Sequence, residues 1–140
     1  MNTKIYKKVH ELATQLMAAV EGEDQALFDR LYSQLNDICL ENESSDKNHP
    51  VQWETLADFT DDLEEAVSIY KKALLIAEDI RSADFSSSIG FSIGTLQLEL
   101  GQKDAALISL EKARLACLDI EDKELKAEIH DLLTELKNHS

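Results

Sequence analysis

Apolar residues recur along most of this chain at intervals of three and four. The clearest run is Ile89, Ile93, Leu96 and Leu100, followed after one break by Ala106, Leu110, Ala113 and Cys117. That spacing puts each set on one face of an α-helix. The break is Gly101, followed by the polar pair Gln102-Lys103. A Gly and two polar residues between two helical stripes predict a helix stop and a tight turn, hence an antiparallel hairpin. Gly90 and Gly94 fall inside the first helix, and Ala106 and Ala113 on the facing stripe of the second. A helical Gly costs about 1 kcal/mol against Ala, so two of them imply close backbone approach where the helices cross.

The pattern repeats after 40 residues: Ala66 matches Ala106, Lys72 Lys112, Ala73 Ala113, Leu75 Leu115, Asp79 Asp119, Ile80 Ile120 and Ile89 Ile129. A fixed period of this size marks stacked helical hairpins, each covering its apolar face with its neighbours. Upstream, Ile5, Val9, Leu12, Leu16 and Val20 predict a helix to about Glu21. Asp24 then caps a second helix with Leu27, Phe28, Leu31, Leu35, Ile38 and Cys39 inward. Residues 41–49, ENESSDKNH, read as a mobile polar loop. Pro50 suits the first position of a short helix ending near Phe59. Thr60 or Asp61 is expected to cap a helix to about Arg81, and Ser82 or Asp84 the next. Glu121-Asp122 opens a last helix carrying Leu125, Ile129, Leu132, Leu133 and Leu136. The expected layout is one domain: a hairpin over 1–42, a loop over 43–49, repeats over 50–82 and 84–120, and a capping helix over 122–138.

These residues resemble the tetratricopeptide repeat (TPR) family. Ile93-Gly94 stand at the large–small pair of a first helix, Gly101 at the turn, and Ala106, Leu110 and Ala113 at the triplet of the second helix. The preceding copy offers Trp53, Leu56-Ala57, Leu63, Ala66, Tyr70, Ala73 and Leu74. The chain departs from the family in its period of 40 residues rather than about 34, in lacking the repeat-ending Pro at Leu118, and in its short helix around Trp53. Helical repeats of other kinds also have periods near 40–47 residues and remain the alternative. The resemblance implies an all-α fold of about seven helices, stacked as a short right-handed TPR-like superhelix. It also implies a concave face built by the first helix of each hairpin, carrying Glu54, Asp58, Phe91, Thr95, Leu98, Asp131 and Glu135. Family members that hold the C-terminal carboxylates of heat-shock chaperones use Lys, Arg and Asn there. This chain lacks them at the matching positions, which excludes that ligand class.

Charge sharpens the picture. With 28 acidic against 14 basic side chains the formal charge is −14. That argues against nucleic acid, which demands clustered Lys and Arg, and against anionic membrane surfaces. It permits a basic protein or peptide partner steered by long-range field. No apolar run is long enough to span a membrane, and residues 1–12 lack the apolar core of a signal peptide. Cys39 and Cys117 sit on apolar stripes and read as buried thiols, as suits a reducing cytoplasm.

No catalytic, cofactor or metal motif emerges. Ser86-Ser87-Ser88 reads as a helix start, not a nucleophile. His10 and His130 each neighbour a carboxylate by one residue, which turns the two about 100° apart on a helix, a poor ligand geometry. The dense run Glu54, Asp58, Asp61, Asp62, Glu64 and Glu65 lacks a Gly-turned calcium loop. The expected function is therefore a non-catalytic module, without cofactor, that binds a basic and apolar polypeptide. Adaptor, secretion-type chaperone, and immunity or antitoxin protein against a basic toxin all fit. A structural homo-oligomer is the competing reading.

Overall fold

The computed structural model describes residues 3–139. Among these it shows seven helices and no strand. They are α1 (Thr3–Glu21), α2 (Gln25–Asn42), α3 (Pro50–Asp58), α4 (Leu63–Asp79), α5 (Ala83–Glu99), α6 (Lys103–Cys117) and α7 (Lys123–Asn138). Each packs antiparallel on the next, and α1, α3 and α5 also meet in succession, so the hairpins stack. Shifting α4 by 40 residues lands it on α6, and α5 lands on α7. Burial follows the same register. Ala66 and Ala106, Ala73 and Ala113, and Ile89 and Ile129 are all buried, while Leu75 and Leu115 are both exposed.

Local chemistry sets the helix ends. Asp24, Asp62, Ser82 and Asp122 each accept the backbone N–H three residues on, which satisfies one orphan donor of the first turn. The cap of α4 is thus Asp62, not Thr60 or Asp61. Its carboxylate begins a helix whose first turn is itself acidic, at Glu64 and Glu65, where the helix dipole favours negative charge. Ser82 caps α5, so Ser86, Ser87 and Ser88 lie within the helix and not at its start. Gly101 takes the left-handed conformation, φ 77°, at the α5–α6 turn. Glu23 and Arg81 occupy the same region, φ 54° and 56°, at the ends of α1 and α4, where Gly would cost less.

One buried cluster joins α1 to α5 through residues such as Leu12, Leu16, Leu35, Trp53, Leu56, Ile89 and Ile93. A second joins α6 and α7 through Leu110, Ala113, Ile129 and Leu133. Helix α5 serves both: Ile89 and Ile93 enter the first, and Ala83 and Phe91 pack on the second. Val20, expected inward, is exposed, and Ala19 takes the buried position. Ala19 continues the three–four spacing from Leu16, and Val20 falls off that face.

The glycines of α5 account for its approach to α6. A Cβ on Gly90 would lie 3.1 Å from Ala113 Cβ, and one on Gly94 only 2.6 Å from Leu110 Cγ. Gly90 therefore opposes Ala113, and Gly94 opposes Leu110. The segment over 43–49 is also more anchored than its polarity suggests. Trp53 Nε1 donates to Asn48 Oδ1 at 2.7 Å, Gln52 Nε2 donates to Lys47 O at 2.9 Å, and Lys72 pairs with Glu43. Lys72 Nζ also stands 4.4 Å over the Trp53 ring. Cys39 and Cys117 are buried and unpaired. Burial pushes the Cys39 thiol up to about 12, which keeps it protonated and inert.

The two glycines should respond differently to a methyl group. Gly94→Ala is expected to destabilise the fold by about 1–3 kcal/mol in urea titration, because overpacking against Leu110 outweighs the gain in helix propensity. Gly90→Ala should stay within about 1 kcal/mol of wild type, since the opposing Ala113 needs to yield only slightly. Equal effects at both sites would contradict the packing described.

Candidate functional site

Carboxylates and hydroxyls gather where α3, α4 and α5 meet. Glu54 and Asp58 are four residues apart on α3 and so share one face. Opposite them on α5 stand Ser88 and Ser92, one turn apart, and Tyr70 reaches in from α4. Ser88 Oγ donates to Glu54 Oε2 at 3.1 Å. The Tyr70 hydroxyl donates to Asp58 Oδ1, and Ser92 Oγ donates back to Ser88 O at 3.2 Å. Trp53 and Leu56 fix α3 from below, both buried in the first cluster.

This setting shifts the acids. Burial, and then the charge of Asp58, raise Glu54 from an ordinary value of 4.5 to about 7, against the smaller opposite pull of Ser88. Burial likewise raises Asp58, partly offset by the Tyr70 hydrogen bond. Burial and the hydrogen bond to Asp58 push the Tyr70 phenol up. Among the described residues no Lys or Arg forms an ion pair with either carboxylate. The pair is an anionic site, Glu54 half-buried and Asp58 at its exposed edge, without a counter-charge among the described residues, and partly desolvated charge without a partner is unfavourable.

The other residues expected on the inner face divide. Thr95 sits half-buried on α5 and donates to Ser92 O at 2.9 Å, continuing the hydroxyl stripe. Phe91 packs into the α6–α7 cluster and contributes core contact there. Leu98 is half-buried, and Asp131 and Glu135 are exposed on α7. The structure therefore gathers Glu54, Asp58 and Thr95 around one polar stripe and leaves the α7 carboxylates outside it. Tyr70, Ser88 and Ser92 complete the stripe without having been singled out. Tyr70 reads as a core position of the repeat, and Ser88 as part of a helix start.

The rest of the acidic run does structural work. Asp62 caps α4, Glu64 and Glu65 occupy its first turn, and Asp61 is exposed. No group of three or more His, Cys, Asp or Glu side chains with metal-binding geometry exists among the described residues. His49, in the same region, is the cap of α3. Its Nδ1 accepts from Val51 N at 3.2 Å, its ring meets Phe85 edge-on, and burial lowers its pKa. No helix among the described residues is long and apolar enough to cross a membrane. Compared with family models, curated proteins and solved structures, the chain finds no match.

The raised Glu54 has a thermodynamic consequence. Between 4.5 and about 7 the folded chain holds the Glu54 proton more tightly than the unfolded chain does. Stability from this group is therefore full below 4.5 and falls as pH rises through about 7. His49 acts in the opposite sense, losing stability as pH drops below 6.5 toward its lowered value. Glu54→Gln retains His49 and removes only the first effect. Urea midpoints for the two proteins should nearly coincide at pH 4.5, and the variant should gain on the order of 2 kcal/mol over wild type near pH 8. A difference that does not change with pH would contradict the assignment.

Proposed function

We propose that this chain is a non-catalytic, TPR-like helical-repeat module that binds a basic and apolar polypeptide at the face shared by α3 and α5. The observation that carries this reading is the Glu54–Asp58 pair: two carboxylates one turn apart, partly stripped of water, with no cation among the described residues paired to them. A Lys or Arg from a partner would relieve the like-charge repulsion, draw the Glu54 pKa back down and gain two acceptors. The hydroxyls of Tyr70 and Ser88 hold the acids in place beforehand, which reduces the ordering cost of binding. The overall charge of −14 supports the same partner by steering basic chains toward the surface. An adaptor or secretion-type chaperone is the role this fits. The 40-residue repetition of α4–α5 in α6–α7 supports the repeat assignment.

Charge reversal tests the reading. With immobilised wild-type protein and the Glu54→Lys/Asp58→Lys variant as baits, a basic partner captured from the source lysate should be retained only by the wild type. Titration of the identified partner should then show a loss of about 2 kcal/mol or more. Equal affinity for both baits would remove the acidic face from the account.

A further inference from the structure

A second surface lies on the opposite side of α5. Helices α4 and α6 both pack on α5 but diverge from each other, leaving an open cleft of about 580 Å³ between them. Gly90, Ile93 and Ala113 form its floor, and Leu74 and Ile108 its walls. The floor is deep because Gly90 carries no side chain and faces an alanine. Ile108 remains 66% exposed. On the outer side of α6, Leu115 is also exposed, one heptad further on, and Leu118 follows the helix end.

The rim carries the opposite charge to the rest of the molecule. Acids outnumber bases 28 to 14 over the chain, yet this cleft is edged by Lys71, Arg81 and Lys112 against the single carboxylate of Glu78. Lys112 Nζ lies 3.9 Å from Glu78 across the mouth, with both side chains well exposed, so that pair is weak and easily opened. Lys71 and Arg81 form no ion pair among the described residues. Arg81 is moreover held at φ 56°, a conformation disfavoured for any residue but Gly.

We propose that this cleft receives an acidic amphipathic helix of a partner protein, its apolar stripe seated between Leu74 and Ile108 and its carboxylates meeting Lys71, Arg81 and Lys112. The spacing of the cations selects this occupant. Lys71 stands on α4, about 12 Å of helix before its last residue Asp79, Arg81 follows in the turn beyond that end, and Lys112 stands on α6. A single anionic headgroup reaches one of these positions. A helix of about three turns, with acids flanking an i, i+3, i+4, i+7 apolar stripe, reaches all three. The site is separate from the α3–α5 face and does not depend on the proposal made for it.

A fluorescein-labelled peptide of about four turns, with a leucine stripe flanked by Glu, is the probe, and its twin with Lys in place of Glu is the control. Anisotropy titrations should show saturable binding of the acidic peptide despite the chain's negative charge. The triple variant Lys71→Glu/Arg81→Glu/Lys112→Glu should weaken it at least about tenfold and leave the Lys twin no weaker. Ile108→Glu, at an exposed position, should also weaken it without loss of helicity. Arg81→Gly should bind several-fold more weakly while unfolding at no lower temperature, since Gly accepts the left-handed backbone. The proposal is overturned by absence of saturable binding, by binding indifferent to the triple reversal, or by a concentration-dependent dimer that Ile108→Glu dissolves, which would mean that a second copy fills the cleft.

Discussion

The structure depends on how closely α5 can approach α6. A Cβ at Gly94 would run into Leu110, and one at Gly90 would touch Ala113. Without those side chains the two backbones close up, and Ile89, Ile93 and Leu110 become fully or almost fully buried around the crossing. Each such burial contributes about 1.5–3 kcal/mol, so the crossing recovers more than the propensity the glycines give up. Because α5 also feeds Phe91 into the α6–α7 cluster, it is the element through which both halves of the core communicate.

A central helix buried on several sides leaves two very different surfaces around it. Toward α3 it presents hydroxyls, and Ser88 among them meets the half-buried Glu54, one turn from Asp58. Toward the gap between α4 and α6 it presents small residues beneath a cationic rim. The first surface is rigid and polar with uncompensated negative charge; the second is open and apolar with positive charge at its edges. Net charge alone hides this division, since the three rim cations vanish within an excess of acids.

Much of the fold was legible because the same short-range signals recur. The three–four periodicity locates the helices, and the 40-residue repetition pairs Ala73 with Ala113 and Ile89 with Ile129, all of which are buried. What periodicity does not carry is the register between helices. That Gly94 faces Leu110, and Gly90 Ala113, follows from where α6 crosses α5. Within the acidic stripe, Glu54 and Asp58 announce themselves by their spacing. Ser88 lies 34 residues from Glu54, and nothing local links them. Tyr70 serves as core and as hydrogen-bond donor at once, and only its apolar ring shows in a hydrophobic pattern. The cleft was hidden for a further reason: its cations come from α4, the α4–α5 turn and α6, each unremarkable in its own segment.

The central claim is that α5, locked on α6, is the most stable part of the stack. Native-state amide hydrogen exchange measures this residue by residue. Amides over 89–97 and 106–113 should exchange only through global unfolding, with opening free energies equal to the whole-chain stability, while the outer parts of α1 and α7 open more readily. Faster exchange within α5 than within α1 or α2 would contradict the account.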